Sequence, residues 1–126
     1  MDRKVESRLK KESVIWLVTA GKDARPQAVP VWFLWDGSSF LIYAQDGAKV
    51  NHIRANPHVE LHLNEIDDDI VRASGYATIA KSGPPPNKNP AYMRKYRTGI
   101  KSIGMTPETY AAKYHNAVSV RRVKFH

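Results

Sequence analysis

Cysteine is absent from this chain of 126 residues, which excludes disulfide bonds and iron–sulfur ligation by cysteine thiolates. Long apolar runs are absent as well, so no segment is predicted to span a membrane. Residues 2–12 are highly charged and lack the apolar region of a signal peptide. These absences favour the cytoplasm and a single domain, residues 1–126, that is large enough to bury a core of its own.

Acidic residues are scarce in the second half of the chain. Residues 70–126 contain eleven Lys or Arg and only one acid, Glu108, whereas residues 1–69 are nearly balanced, and the formal net charge is +8. This uneven distribution indicates either an anionic partner for the second half or a solvated surface that confers solubility.

Hydrophobic alternation and turn signals predict six strands and four short helices. The strands are expected at residues 13–19, 28–35, 40–43, 58–64, 70–80 and 118–123. The helices are expected at residues 3–11, from Lys49 to before Asn56-Pro57, and twice within a helical insertion at about 84–116. Gly75 marks a bulge, and Thr106 is placed to cap the last helix. The pattern predicts a mainly β fold, a small antiparallel barrel with helical insertions.

The most informative segment runs from Tyr43 to Lys49, where a strand ends and a helix begins. Lys49 lies in the predicted first turn, and a helix N-terminus offers free N–H groups and a partial positive charge. The arrangement suits a phosphate. Asp46 argues against it, because this residue is the natural N-cap and its carboxylate repels an anion.

Pro30 interrupts a continuous apolar strand. Proline has no N–H to donate to a ladder, so it indicates an edge strand or a place where the barrel opens towards a flat ligand. On the next strand but one, His58 and His62 lie on one face with Glu60 between them. This spacing differs from the helical motif of zinc proteases, so we predict a polar outer face and no metal site.

Four tyrosines alternate with basic residues in the insertion: Tyr92, Tyr96, Tyr110 and Tyr114 with Arg94, Lys95, Arg97 and Lys101. The simplest interpretation is that the tyrosines pack the helices onto the barrel while the charges face water. Two further interpretations remain open, an anionic cofactor tail and single-stranded nucleic acid. No RNA or DNA signature is present, so a nucleic-acid partner is the weakest of the three.

Several motifs resemble the pyridoxamine 5'-phosphate oxidase-like superfamily of FMN-binding split barrels. They are residues 16–19 (WLVT), 25–37 (RPQAVPVWFLWDG), Tyr43 and 49–57 (KVNHIRANP). The stretch PVWF and residues 104–108 (GMTPE) resemble its branch of deazaflavin-dependent (coenzyme F420) reductases. The resemblance covers roughly residues 10–125.

The resemblance implies a six-stranded split β-barrel with Greek-key topology and a homodimer with two cofactor sites at the subunit interface. It places the cofactor phosphate beside Tyr43, Ala44, Gln45 and Lys49, with Val50 nearby. It places the cofactor ring beside Gln27, Val29, Pro30 and Val31. No catalytic residue is implied.

Two departures bear on the choice of cofactor. Oxidases of the superfamily have an arginine where Gln27 stands and a basic residue where Ala48 stands. A phosphate site with one lysine suits the monoanionic phosphodiester of F420, and its oligoglutamate tail suits a basic second half. We therefore expect a two-electron reductase that uses F420 on an unsaturated small molecule. An FMN-dependent oxidase or reductase, a non-catalytic carrier of cofactor or haem, and a basic nucleic-acid-binding module are the alternatives.

Overall fold

The computed structural model describes all 126 residues. Its elements in chain order are α1 (Arg3–Lys11), β1 (Ile15–Ala20), β2 (Pro26–Val31), β3 (Leu34–Trp35), β4 (Phe40–Ala44), α2 (Ala48–Ala55), β5 (His58–His62), β6 (Arg72–Ile79), a 3-10 turn (Pro86–Lys88), α3 (Pro90–Ser102), α4 (Pro107–Lys113) and β7 (Asn116–Phe125). None of the helices has both the length and the apolar character needed to cross a bilayer.

All seven strands form one antiparallel sheet in the order β2-β1-β5-β6-β7-β4-β3. The first and last strands of this order, β2 and β3, are neighbours in the chain. Val31 and Leu34 are three residues apart, a span of at most about 11 Å. The sheet therefore curls until its two ends meet, and because no ladder joins β2 to β3 the barrel remains split there.

The mainly β fold with short helices is confirmed, but the predicted count of six strands is wrong by one. The expected strand at 28–35 is interrupted at Trp32 and Phe33, which carry the chain across the split from β2 to β3. An unbroken apolar run predicts a continuous strand, and only the closure of the sheet makes the interruption necessary.

The split is closed by side chains from α3. The hydroxyl of Tyr96 accepts a hydrogen bond from the N–H of Phe33 at 2.9 Å and lies 2.7 Å from the carbonyl oxygen of Ser13. Lys95 Nζ donates to the carbonyl oxygen of Phe33 at 3.0 Å. Phe33 is fully buried, so these bonds supply the partners that a neighbouring strand provides elsewhere in the sheet.

The core fills the barrel with side chains from alternate strand positions. Val59, Leu61 and Leu63 are all buried, which confirms the expected alternation. Gly75 lies at a register shift between β6 and β7, as expected of a bulge. A Cβ atom at Gly75 would lie 2.7 Å from Val120 Cγ1, so a larger residue does not fit there.

The capping of α3 and α4 also follows the local sequence. The side chain of Asn89 accepts from the N–H of Tyr92 at the start of α3. Thr106 and Thr109 form a reciprocal capping box at the start of α4. The two helices therefore begin where local chemistry directs, and they lie between β6 and β7.

Candidate functional site

The first turn of α2 offers backbone N–H donors beside the predicted phosphate site. Gly47 is its N-cap, with φ of +155° and no side chain to accept from the helix. The first N–H groups of α2 therefore lack a side-chain partner, and Lys49 lies in the same turn with no ion pair. This end of the helix therefore combines the partial positive charge of the helix dipole with the charge of Lys49, and no side chain caps it.

The expectation that Asp46 caps α2 is wrong. Its carboxylate turns towards β7 instead and accepts from Asn116 Nδ2 at 2.9 Å, with His115 Nε2 at 3.3 Å. The bond from Asn116 and the charges of His115 and Arg54 hold the pKa of Asp46 below its usual value. The objection that Asp46 would repel a phosphate at the helix start is therefore weaker than the sequence suggested.

A cavity of about 190 Å³ lies beside this turn, between the ends of β2 and β4 and the helices α3 and α4. Its lining residues are Pro30, Val31, Trp32, Tyr43, Gln45, Lys49, Ile103, Tyr110 and Tyr114. Five of the nine predicted cofactor residues are in this lining: Pro30, Val31, Tyr43, Gln45 and Lys49. The structure thus brings the predicted phosphate and ring segments to one place.

The other four predicted residues do not line the cavity. Gln27 is exposed on β2, opposite Thr19 of β1. Val29 packs against the barrel core, and Val50 is inside it. Ala44 is fully buried, and its carbonyl oxygen accepts from the side chain of Asn116 at 3.1 Å.

Pro30 lies on β2, the terminal strand of the sheet, which agrees with the interpretation as an edge strand. It is exposed and lines the cavity as well, so the edge and the opening towards a ligand coincide. The missing N–H of proline leaves no orphaned donor at this opening.

An aromatic column forms the wall that the helices contribute. Trp32 stacks on Tyr96 with ring centroids 4.7 Å apart and on Tyr110 at 5.6 Å. Tyr110 in turn stacks on Tyr114 at 4.4 Å. Trp32 is therefore both a packing residue and a cavity wall.

Burial divides the four tyrosines. Tyr92, Tyr96 and Tyr110 are buried, so the expectation that they pack the helices onto the barrel is confirmed. Burial raises the pKa values of Tyr92 and Tyr96, and it raises the pKa of Tyr110 to about 12. Tyr114 is half-buried and faces the cavity.

The sequence profile of the family described as pyridoxamine 5'-phosphate oxidase matches residues 1–121, nearly the whole chain. The protein belongs to the pyridoxamine 5'-phosphate oxidase family. No curated protein matches the chain. The family resemblance inferred from the motifs is therefore confirmed.

Solved structures share the family fold at low identity. A protein described as an F420 reductase is 21% identical, with a TM-score of 0.68, covering 100% of this chain and 98% of that one. A FAD-binding protein from Mesorhizobium loti is 14% identical (TM-score 0.62; coverage 99% and 92%). HutZ, the heme storage protein from Vibrio cholerae, is 9% identical (TM-score 0.62; coverage 95% and 88%). These likenesses establish the split-barrel fold, which hosts several kinds of ligand.

A second, larger hollow of about 370 Å³ lies on the outer face of β1, β5 and β6, and none of the predicted cofactor residues lines it. His58 and Glu60 are in its lining. The ring of His58 packs on Tyr76 at 4.5 Å, and that of His62 stacks on Trp16 at 6.1 Å. Both histidines therefore pack against aromatic rings on the outer face of the barrel.

One residue of the cavity lining, Ile103, was not predicted from the sequence. Ile103 follows the last residue of α3 and is 51% exposed at the cavity. An isolated apolar residue between two helices is unremarkable in sequence. Only the fold of the helical segment brings it to the opening, where its apolar surface faces solvent.

Proposed function

We propose that this member of the family is a deazaflavin-dependent oxidoreductase that reduces an unsaturated small molecule with coenzyme F420. The observation that carries the proposal is the single cation, Lys49, at an uncapped helix start beside an aromatic cavity. One lysine and the free N–H groups of α2 match one phosphodiester charge. The structural likeness to an F420 reductase supports the same choice.

The residues present fit such a cofactor. Lys49 and the first turn of α2 would hold the phosphate, while Pro30, Val31 and Trp32 would offer apolar surface to the ring. In its reduced form the bound deazaflavin would supply a hydride, and the protein would orient it against the acceptor and exclude water. Lys49 is the only basic residue in the cavity lining, and the lining contains no Asp or Glu, which favours an uncharged conjugated acceptor.

The proposal includes a second copy of the chain, which would complete the cofactor site. The cavity of about 190 Å³ is smaller than the roughly 300–1,000 Å³ of ordinary small-molecule sites. One chain therefore encloses part of the cofactor, and a partner subunit covers the remainder. Cross-strand neighbours Trp16 and Pro30 place a partly exposed apolar strip on the outer face beside the cavity, as a dimer contact requires.

FMN is the second candidate, because the same helix start could hold its phosphate and a FAD-binding protein shares the fold. The two candidates differ in charge: the FMN phosphate is a dianion, and the site supplies one side-chain cation. Because the second charge of the FMN phosphate would have no side-chain cation beside it, we expect FMN to bind more weakly than F420. We also expect its affinity to depend more steeply on salt.

The test is a fluorescence titration of the purified protein with F420 and, separately, with FMN. Lys49→Ala is expected to weaken F420 binding by about tenfold or more, since a charge-assisted phosphate contact contributes roughly 1.5–3 kcal/mol. Lys124→Ala, an exposed lysine on β7 remote from the cavity lining, is the matched control and should leave the affinity unchanged.

Three outcomes discriminate the candidates. Preference for F420, lost in the Lys49 variant alone, supports the reductase. Preference for FMN transfers the protein to the flavin enzymes of the family. Binding of neither ligand contradicts both, and haem and a single-stranded oligonucleotide are then the ligands to titrate.

A further inference from the structure

Reduction of a conjugated double bond needs a proton after the hydride, and four residues in the cavity lining carry an ionisable proton: Tyr43, Lys49, Tyr110 and Tyr114. The hydroxyl of Tyr43 donates to the carbonyl oxygen of Pro84 at 2.9 Å and accepts from Asn89 at 3.1 Å. Its proton is therefore held by the loop before α3. Lys49 lies at the helix start that holds the phosphate.

The hydroxyl of Tyr110 is also engaged in a hydrogen bond within the protein. Its hydroxyl lies 2.6 Å from that of Tyr92, a buried pair with no other hydrogen-bond partner for either oxygen. Drawing a proton from this pair would leave a tyrosinate in the apolar interior, which is costly. Two groups outside the lining are excluded by position: Tyr96 closes the split of the barrel, and His115 faces Asp46.

Tyr114 differs from the other tyrosines of the helical segment. It ends α4, its ring is held by stacking on Tyr110 at 22° between the planes, and its hydroxyl makes no hydrogen bond to the protein. It is also half-exposed, so solvent reaches it. Stacking on Tyr110 therefore orients the ring, while the hydroxyl has no hydrogen-bond partner in the protein.

We propose that Tyr114 is the catalytic acid of the reduction. The inference rests on the proposed reductase function and adds to it the residue that protonates the acceptor. As the hydride adds to the β-carbon, the electron pair of the double bond moves to the α-carbon and forms a bond to the proton of Tyr114 Oη. The O–H bond breaks with its electrons on oxygen, and water restores the proton of the tyrosinate.

The fixed ring has a stereochemical consequence. A proton delivered from one side chain reaches one face of the α-carbon, whereas a proton from bulk water reaches both. The acceptor used as a probe is 2-methylcyclohex-2-enone, whose reduction creates a stereocentre at the α-carbon. The configuration of the product, analysed at early turnover, therefore reports the proton donor independently of the rate.

The experiment compares wild-type protein with Tyr114→Phe, with Tyr110→Phe and with one matched control. Tyr110→Phe tests the neighbouring hydroxyl as a competing donor. Tyr76→Phe removes another hydroxyl without a hydrogen bond, from β6 outside this cavity. For Tyr114→Phe we expect an unchanged dissociation constant for F420, a rate lowered by about 10²–10⁴-fold and a product with both α-configurations. The control Tyr76→Phe should keep the wild-type configuration.

The outcomes separate this inference from the function on which it rests. Wild-type rate and configuration in Tyr114→Phe overturn the inference and leave the reductase standing. Loss of configuration in Tyr110→Phe but not in Tyr114→Phe assigns the role to the buried pair and overturns it equally. A wild-type protein that binds no F420, or binds it and reduces no enone, overturns both.

Discussion

Replacing Tyr96 by Phe tests whether α3 closes the split of the barrel. The change removes one oxygen and keeps the ring that stacks on Trp32. It leaves the buried N–H of Phe33 without an acceptor and removes the bond donated to the carbonyl of Ser13. An unsatisfied buried donor costs about 1–3 kcal/mol and a lost hydrogen bond about 0.5–1.5 kcal/mol. We expect the free energy of unfolding to fall by about 2–4 kcal/mol.

The assay is urea denaturation at fixed protein concentration, supported by thermal melting. With an unfolding entropy of about 2.1 cal/mol/K per residue, a loss of 3 kcal/mol corresponds to about 11 °C in Tm for a chain of this size. Tyr114→Phe is the control, since it deletes a hydroxyl with no hydrogen bond to the protein. If the two variants unfold within about 0.5 kcal/mol of each other, the closure of the split by Tyr96 is refuted.

Two further predictions concern neighbouring positions on α3. In Gly99→Ala the new Cβ would lie 3.1 Å from Trp32 Cη2, so the tryptophan must shift by a few tenths of an ångström. Titration should therefore show weaker cofactor binding. Stability should not fall, because alanine favours a helix over glycine by up to about 1 kcal/mol. Unchanged affinity would contradict the role of Trp32 as a wall of the cavity. Burial lowers the pKa of Lys95 from 10.5 to about 8, so between these pH values the unfolded chain holds a proton that the folded protein has released. The unfolding free energy of the wild type should therefore rise with pH relative to that of Lys95→Met. The slope should be less than about 1.4 kcal/mol per pH unit, because water reaches the amine. A difference between the two proteins that does not change with pH would contradict the buried environment of Lys95.

Local signals predicted most of the fold. Alternation at Val59, Leu61 and Leu63 has a period of two, and one face of that strand is buried. Thr106 was predicted as an N-cap because a hydroxyl at that position accepts from the first turn, and it does so. Such features depend on neighbours within a few residues, so they can be recognised without knowledge of the tertiary structure.

The candidate site was predicted in part. Tyr43, Gln45 and Lys49 are close in sequence and lie together in the cavity. Pro30 and Val31 were placed beside them by family resemblance and line the same cavity. Asp46 was assigned wrongly, since its partner Asn116 is 70 residues away and the sequence shows no link between them.

The sequence by itself determined the family, the antiparallel strands, the N-cap of α4 and the lysine at the head of α2, because each depends on short-range chemistry or on motifs in one stretch of chain. Only the tertiary structure decided where the barrel splits, which tyrosine of the helical segment is left with a free hydroxyl, and that Ile103 reaches the cavity. These features arise when the ends of a curled sheet meet and helices pack over the gap, so they depend on residues far apart in the chain. Burial and hydrogen bonding then give similar side chains different roles: Tyr96 closes the split, Tyr92 and Tyr110 pair with each other, and Tyr114 faces the cavity.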